Sequence, residues 1–102
     1  LCEGESDVWS GTHAAGTGYV FLGLPTGAGT LPTGLASTLA GRRVILAFDG
    51  DHAGRLATTV WTVALTDAGC RLWDLGIPEG EDLTTMSSNW VRSALDRMSA
   101  SW

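Results

Sequence analysis

The residues best equipped for chemistry in this chain are its acids. More than half of the eleven carboxylates fall in three short segments: Glu3-Gly4-Glu5-Ser6-Asp7, Asp49-Gly50-Asp51 and Glu79-Gly80-Glu81-Asp82. Each segment follows a stretch that reads as a β-strand, so an open parallel sheet would gather all three at its ligand-binding edge. Carboxylates brought that close repel one another unless a cation lies between them. Oxygen donors without paired Cys or His favour Mg2+ or Mn2+ over zinc. Mg2+ takes one or two carboxylates and leaves positions for water and phosphate oxygens. Gly4, Gly50 and Gly54 serve the same end, because they let backbone and phosphate approach closely. Any one segment alone would be explained by a helix cap or a solvated turn. Three at one edge favour a metal.

The elements that must position these acids follow from apolar periodicity. Residues 1–2 read as the stub of a strand whose beginning is missing, and residues 7–15 as a short helix capped by Asp7 and ended by Gly16. Residues 17–22 (TGYVFL) are rich in β-formers, and the Gly- and Pro-rich residues 23–34 form a loop. Residues 35–40 make a short helix closed by Gly41. Residues 43–48 (RVILAF) are a continuous apolar run, as expected of a parallel strand covered on both faces.

From Ala53 the apolar positions Leu56, Ala57, Val60, Trp61, Ala64, Leu65 and Ala68 follow helical spacing until Gly69. A strand over 71–75, the third acidic loop and an amphipathic helix from Ser87 or Ser88 to Trp102 complete the order. Alternating strands and helices predict an α/β fold with a parallel sheet and helices on its faces.

Composition narrows the class. The chain has 102 residues, 44% hydrophobic and 17% charged, which suits one compact domain with a core and excludes a disordered tail. No apolar run approaches the roughly 20 residues of a membrane-spanning helix, so no membrane partner is expected and the location is read as cytoplasmic. The net charge of −5, with six Arg and no Lys, argues against a polybasic nucleic-acid surface. Cys2 and Cys70 lack zinc spacing and read as buried reduced thiols, not a bridge. At helical or strand spacing, Trp9, Trp61, Trp73, Trp90 and Trp102 read as core before base-stacking platforms.

Several phosphate sites are excluded. Residues 29–34 have Walker spacing, but Leu35 stands where the phosphate-binding Lys is required. No G-x-G-x-x-G follows a strand. Haloacid-dehalogenase phosphatases also place Asp-x-Asp after an apolar strand, yet they rely on a Lys that this chain lacks.

Together the three segments resemble the Toprim domain of bacterial-type primases, type IA and type II topoisomerases, OLD-family nucleases and recombination proteins. Glu3-Gly4-Glu5-Ser6-Asp7 resembles the family's Glu-Gly-x-x-Asp element. Asp49-Gly50-Asp51-His52-Ala53-Gly54-Arg55 is similar to the Asp-x-Asp element in the form found in primases and phage or plasmid primase-helicases. The loop from Ile77 to Leu83 resembles the primase segment ending in Gly-Lys-Asp or Gly-Glu-Asp, and LGLPTGAG (residues 22–29) the Gly-rich stretch of primase-helicases.

The resemblance implies a compact Rossmann-like Toprim fold over residues 1–102, with about four mainly parallel strands, helices on both faces and a truncated first strand. It implies a metal-dependent nucleotidyl-transfer domain, excised from a primase or primase-helicase and working in DNA replication. Glu3 would be the acid/base residue; Asp49, Asp51 and, as a weaker third, Asp82 would hold Mg2+ or Mn2+. Asp7 and Arg55 would contact phosphate or support the acids, though a helix cap explains Asp7 and a surface ion pair explains Arg55 equally well. Glu5 reads as an acid that supports the site from behind or faces solvent, and His13 and His52 as solvent-facing.

Partners would be nucleoside triphosphates, a single-stranded DNA template, and a zinc ribbon or helicase of the same parent chain. The alternatives are a phosphodiester-cleaving Toprim domain of an OLD-type nuclease or topoisomerase, and a non-catalytic interaction module. On this reading the acidity points to phosphate chemistry through metal, not to direct gripping of DNA.

Overall fold

In the computed structural model, residues 1–2 and 34–100 are described. They form α1 (Leu35–Leu39), β1 (Arg43–Leu46), α2 (His52–Asp67), β2 (Arg71–Asp74) and α3 (Ser88–Ser99). β1 and β2 pair in parallel, with Arg43 opposite Arg71 and Leu46 opposite Asp74. A parallel pair needs a crossover, and α2 supplies it. The Leu46 carbonyl accepts from Leu75 N–H at 2.8 Å on the β2 side.

On its other edge β1 meets the start of the chain. The Leu1 amine donates to the Ile45 carbonyl at 2.6 Å, and Ala47 N–H donates to the Leu1 carbonyl at 2.7 Å. One residue that donates and accepts at positions two apart on its neighbour has the pattern of a parallel pair. Residues 1–2 therefore lie along β1 as a parallel strand would. Among the described residues the sheet has two strands with residues 1–2 alongside, where about four strands were expected; residues 17–22 lie outside the described residues.

The apolar run of β1 is buried on both faces, and its side chains alternate between two cores. Val44, Leu46 and Phe48 pack with Ala57, Trp61, Leu65 and Cys70 beneath α2. Ala47 and the half-buried Ile45 pack with Cys2, Leu75, Leu83, Val91, Ala94 and Leu95 beneath α3. Helices thus cover both faces. Cys2 and Cys70 are buried thiols in opposite cores, and no disulfide links them. Trp61 is fully buried and tilts against Phe48 with ring centroids 6.0 Å apart, as a core aromatic.

The boundaries differ slightly from those expected of the sequence. The strand ends at Leu46, not at residue 48, because the chain then leaves the ladder to reach the Asp49–Asp51 turn. α2 starts at His52, one residue earlier than expected, because Asp51 caps it. Gly41 (φ 76°) and Gly69 (φ 83°) close α1 and α2 in the left-handed region that glycine adopts without strain. α3 begins as expected, with Ser87 accepting from Trp90 N–H at 3.1 Å.

The helical spacing holds, but two of its apolar positions face outward: Leu56 and Val60 are more than half exposed. The core takes the arc of α2 holding Gly54, Ala57, Trp61 and Leu65, and leaves these two outside it. No helix among the described residues is long and apolar enough to cross a membrane.

Candidate metal centre

β1 delivers Asp49 to the carboxyl end of the sheet. The Asp49 side chain is half-buried, and its Oδ1 is fully enclosed. Two residues on, Asp51 is exposed and turns outward to start α2. Its Oδ1 accepts from Gly54 N–H at 2.6 Å, and its carbonyl accepts from Arg55 N–H at 2.9 Å. One oxygen of Asp51 is therefore committed to a helix cap, which Asp provides well. The Asp-x-Asp spacing splits the pair into one enclosed acid and one capping acid.

The glycines around these acids allow close approach of backbone. A Cβ on Gly54 would stand 2.0 Å from the Asp49 carbonyl oxygen, so the first turn of α2 rests directly on Asp49. A Cβ on Gly50 would stand 1.8 Å from the Pro78 carbonyl oxygen. Gly50 also makes two backbone bonds to the acidic loop: its N–H donates to the Glu81 carbonyl at 2.8 Å, and its carbonyl accepts from Gly80 N–H at 2.7 Å. The second and third acidic segments are thereby locked together, 30 residues apart in sequence. The residues that Gly50 meets, Pro78 by close approach and Gly80 and Glu81 by hydrogen bonds, carry no mark in the sequence beyond the Gly within each acidic triplet.

Asp82 sits in the docked loop and organises it. Its Oδ1 accepts from Thr84 N–H at 2.8 Å, from Thr85 N–H at 3.1 Å and from the Thr84 hydroxyl. Its own N–H donates to Thr85 Oγ1 at 3.0 Å. Asp82 is thus the capping acid of a short turn that leads to buried Leu83. Arg55 reaches across from α2 to the same loop, with its guanidinium 3.2 Å from Glu79 Oε1; both side chains are well exposed. That is the surface ion pair expected as one fate of Arg55. His52 is exposed at the start of α2, as expected.

Glu3, Gly4 and Asp7, together with the helix expected over residues 7–15, lie outside the described residues. Among the described residues no three His, Cys, Asp or Glu side chains group closely enough to hold a metal ion. What is present fits Mg2+ by donor chemistry, since the enclosed Oδ1 of Asp49 at the strand end is a carboxylate oxygen.

A parallel β-α-β unit with an Asp-x-Asp turn docked on an acidic loop at its carboxyl edge defines an α/β domain with an acidic, phosphate-chemistry type of site. The Toprim-like family matches residues 1–87, and the chain belongs to it. Comparison with curated proteins and with solved structures finds no match. Toprim domains bind Mg2+ in general and serve nucleotidyl transfer or phosphodiester cleavage.

Proposed function

We propose that this domain is the metal-binding, nucleotidyl-transferring part of a DNA primase or primase-helicase. The observation that carries the reading is the lock between the Asp49-Gly50-Asp51 turn and the Gly80-Glu81-Asp82 loop through Gly50. It supports a single acidic mouth built from two of the three segments, with the turn in the D-G-D-x-A-G-R form that resembles primases.

Asp49 and Asp51 would hold Mg2+ or Mn2+, with Asp82 as the third acid; bound there, the ion supplies charge neutralisation to the triphosphate and the departing pyrophosphate. Glu3 would take the proton from the attacking 3′-hydroxyl. That oxygen bonds the α-phosphorus of the incoming nucleotide while the bond to pyrophosphate breaks. Gly50 and Gly54 hold the backbone close enough to keep Asp49 fixed, so the acid is oriented before any ligand arrives. Arg55, held by an exposed carboxylate, is available to a phosphate group, which a guanidinium binds in bidentate fashion. Asp7 and Gly4 would support Glu3 and the approach of phosphate. The substrates would be nucleoside triphosphates and a single-stranded DNA template presented by the parent chain.

Mn2+ titration of the domain, followed by water-proton relaxation, tests the metal site. Binding should weaken at least tenfold in Asp49→Ala; binding unchanged by that substitution sinks the metal reading. Template-directed extension by the longer parent protein tests the reaction. Loss of primer synthesis in Glu3→Gln and Asp49→Ala supports it. Metal-dependent cleavage of phosphodiesters without extension would replace it with the nuclease alternative.

A further inference from the structure

Arginines gather at the end of the sheet opposite the acids. β1 and β2 both open on Arg, and Arg42 precedes β1. The parallel register sets Arg43 beside Arg71, so the two side chains leave the same face of the sheet at adjacent positions. Arg42, Arg43 and Arg71 are all exposed. Two turns build this edge, one through Gly41 into β1 and one through Gly69 into β2, and they are joined to each other. Arg71 N–H donates to the Arg42 carbonyl at 3.0 Å, and the Cys70 thiol donates to the Leu39 carbonyl at 3.1 Å. The Arg71 guanidinium lies over the Trp73 ring, 5.6 Å from its centroid, and Trp73 is half-buried two residues along the same face. Neither Arg42 nor Arg71 forms an ion pair among the described residues. Within residues 40–43 and 67–73 the one acid is Asp67, at the end of α2. Like charges directly opposite one another in a sheet are destabilising, and an anion bound between them offsets that repulsion.

We propose that this edge binds the backbone of single-stranded nucleic acid, with phosphates on Arg42, Arg43 and Arg71 and a base stacked against the Arg71–Trp73 pair. Charge complementarity selects a polyanion. Arginine at all three positions selects phosphate, which a guanidinium binds in bidentate fashion. The indole beside the guanidinium selects a strand with unstacked bases over a duplex or an acidic protein. The net charge of −5 does not oppose this placement, because the acids of the Asp49–Asp51 turn lie at the other end of the sheet. Six residues of extended chain separate Arg43 from Asp49. That is about 20 Å, more than twice the distance of about 8 Å over which physiological salt screens charge. The edge is a holding surface remote from the proposed metal, and it serves extension or cleavage of a strand equally.

Fluorescence anisotropy of labelled oligothymidylate with the full chain tests the proposal, in chelator so that no divalent metal contributes. Three phosphate contacts predict that log affinity falls against log salt with a slope of about −2, and Arg42→Ala combined with Arg71→Ala should reduce it to about −0.7. Arg42→Lys combined with Arg71→Lys should keep the slope, with a circular dichroism spectrum unchanged in both double variants. No binding at low salt overturns the proposal, as does a slope that the alanine variant leaves unchanged or that the lysine variant loses. Polyglutamate that displaces the oligonucleotide at equal charge concentration replaces nucleic acid with an acidic protein. Equal affinity for a duplex of the same length overturns the choice of a single strand. Because metal is absent throughout, a failed Mn2+ titration leaves this result standing, and the reverse holds.

Discussion

Gly50 lies so close to Pro78 that a Cβ on Gly50 would stand 1.8 Å from the Pro78 carbonyl oxygen. The contact brings the turn after β1 onto the loop after β2, and the two Gly50 backbone bonds to Gly80 and Glu81 hold it there. Every carboxylate proposed for the metal centre among the described residues is placed by this contact or by the turns at either side of it.

Gly50→Ala should therefore destabilise the domain by about 1–3 kcal/mol through overpacking against backbone that cannot rotate away. It should also weaken Mn2+ binding. Gly54→Ala is the sharper test. In an ordinary helix the change would stabilise by about 0.5–1 kcal/mol. Here the added Cβ would meet the Asp49 carbonyl oxygen at 2.0 Å, so the sign should reverse. Urea unfolding curves read both variants, and a Gly54→Ala protein more stable than wild type would contradict the close approach.

Asp51 has a structural duty separable from the metal. Asp51→Ala should cost about 0.5–2 kcal/mol, from loss of the cap to Gly54 N–H, even with chelator present. Asp51→Asn should keep most of that stability, because an amide oxygen also caps. If Asp51 is also a metal ligand, the Asn variant should still lose Mn2+ affinity. Thermal melts with chelator, set beside Mn2+ titrations, divide the two roles.

The Arg55–Glu79 pair should matter little to folding. Both side chains are more than half exposed, and such pairs contribute about 0.2–1 kcal/mol and less as salt rises. Glu79→Gln and Arg55→Ala should leave the melting temperature almost unchanged. A large drop in triphosphate affinity in Arg55→Ala alone, measured by isothermal titration, would mark Arg55 as a phosphate contact.

Much of this molecule is legible in its residue order. The unbroken apolar run from Val44 to Phe48 can bury both faces only as an interior strand, and two separate cores line it. Ser87, Gly41 and Gly69 mark helix ends because capping and left-handed turns are local chemistry. The Asp-x-Asp turn is legible for the same reason, since a strand, a tight turn and a capped helix lie within a few residues. The fate of Leu56 and Val60 is not. Helical periodicity says which residues share an arc, but the wide apolar arc of α2 offers two directions for the core, and Trp61 with Leu65 takes one of them.

The sequence alone determined the classes of element, the acid-rich character of the strand ends and the family, because these depend on residue type, spacing and local turn chemistry. Only the tertiary structure decided that the turn of Asp49 and Asp51 and the loop of Asp82 stand together. Asp51 and Asp82 bond donors two or three residues away, whereas Gly50 joins their two turns by meeting residues 77–81 across the chain, and Asp49 is enclosed beside that contact. Side-chain type limits what a carboxylate can accept; the fold alone sets which donors come within reach.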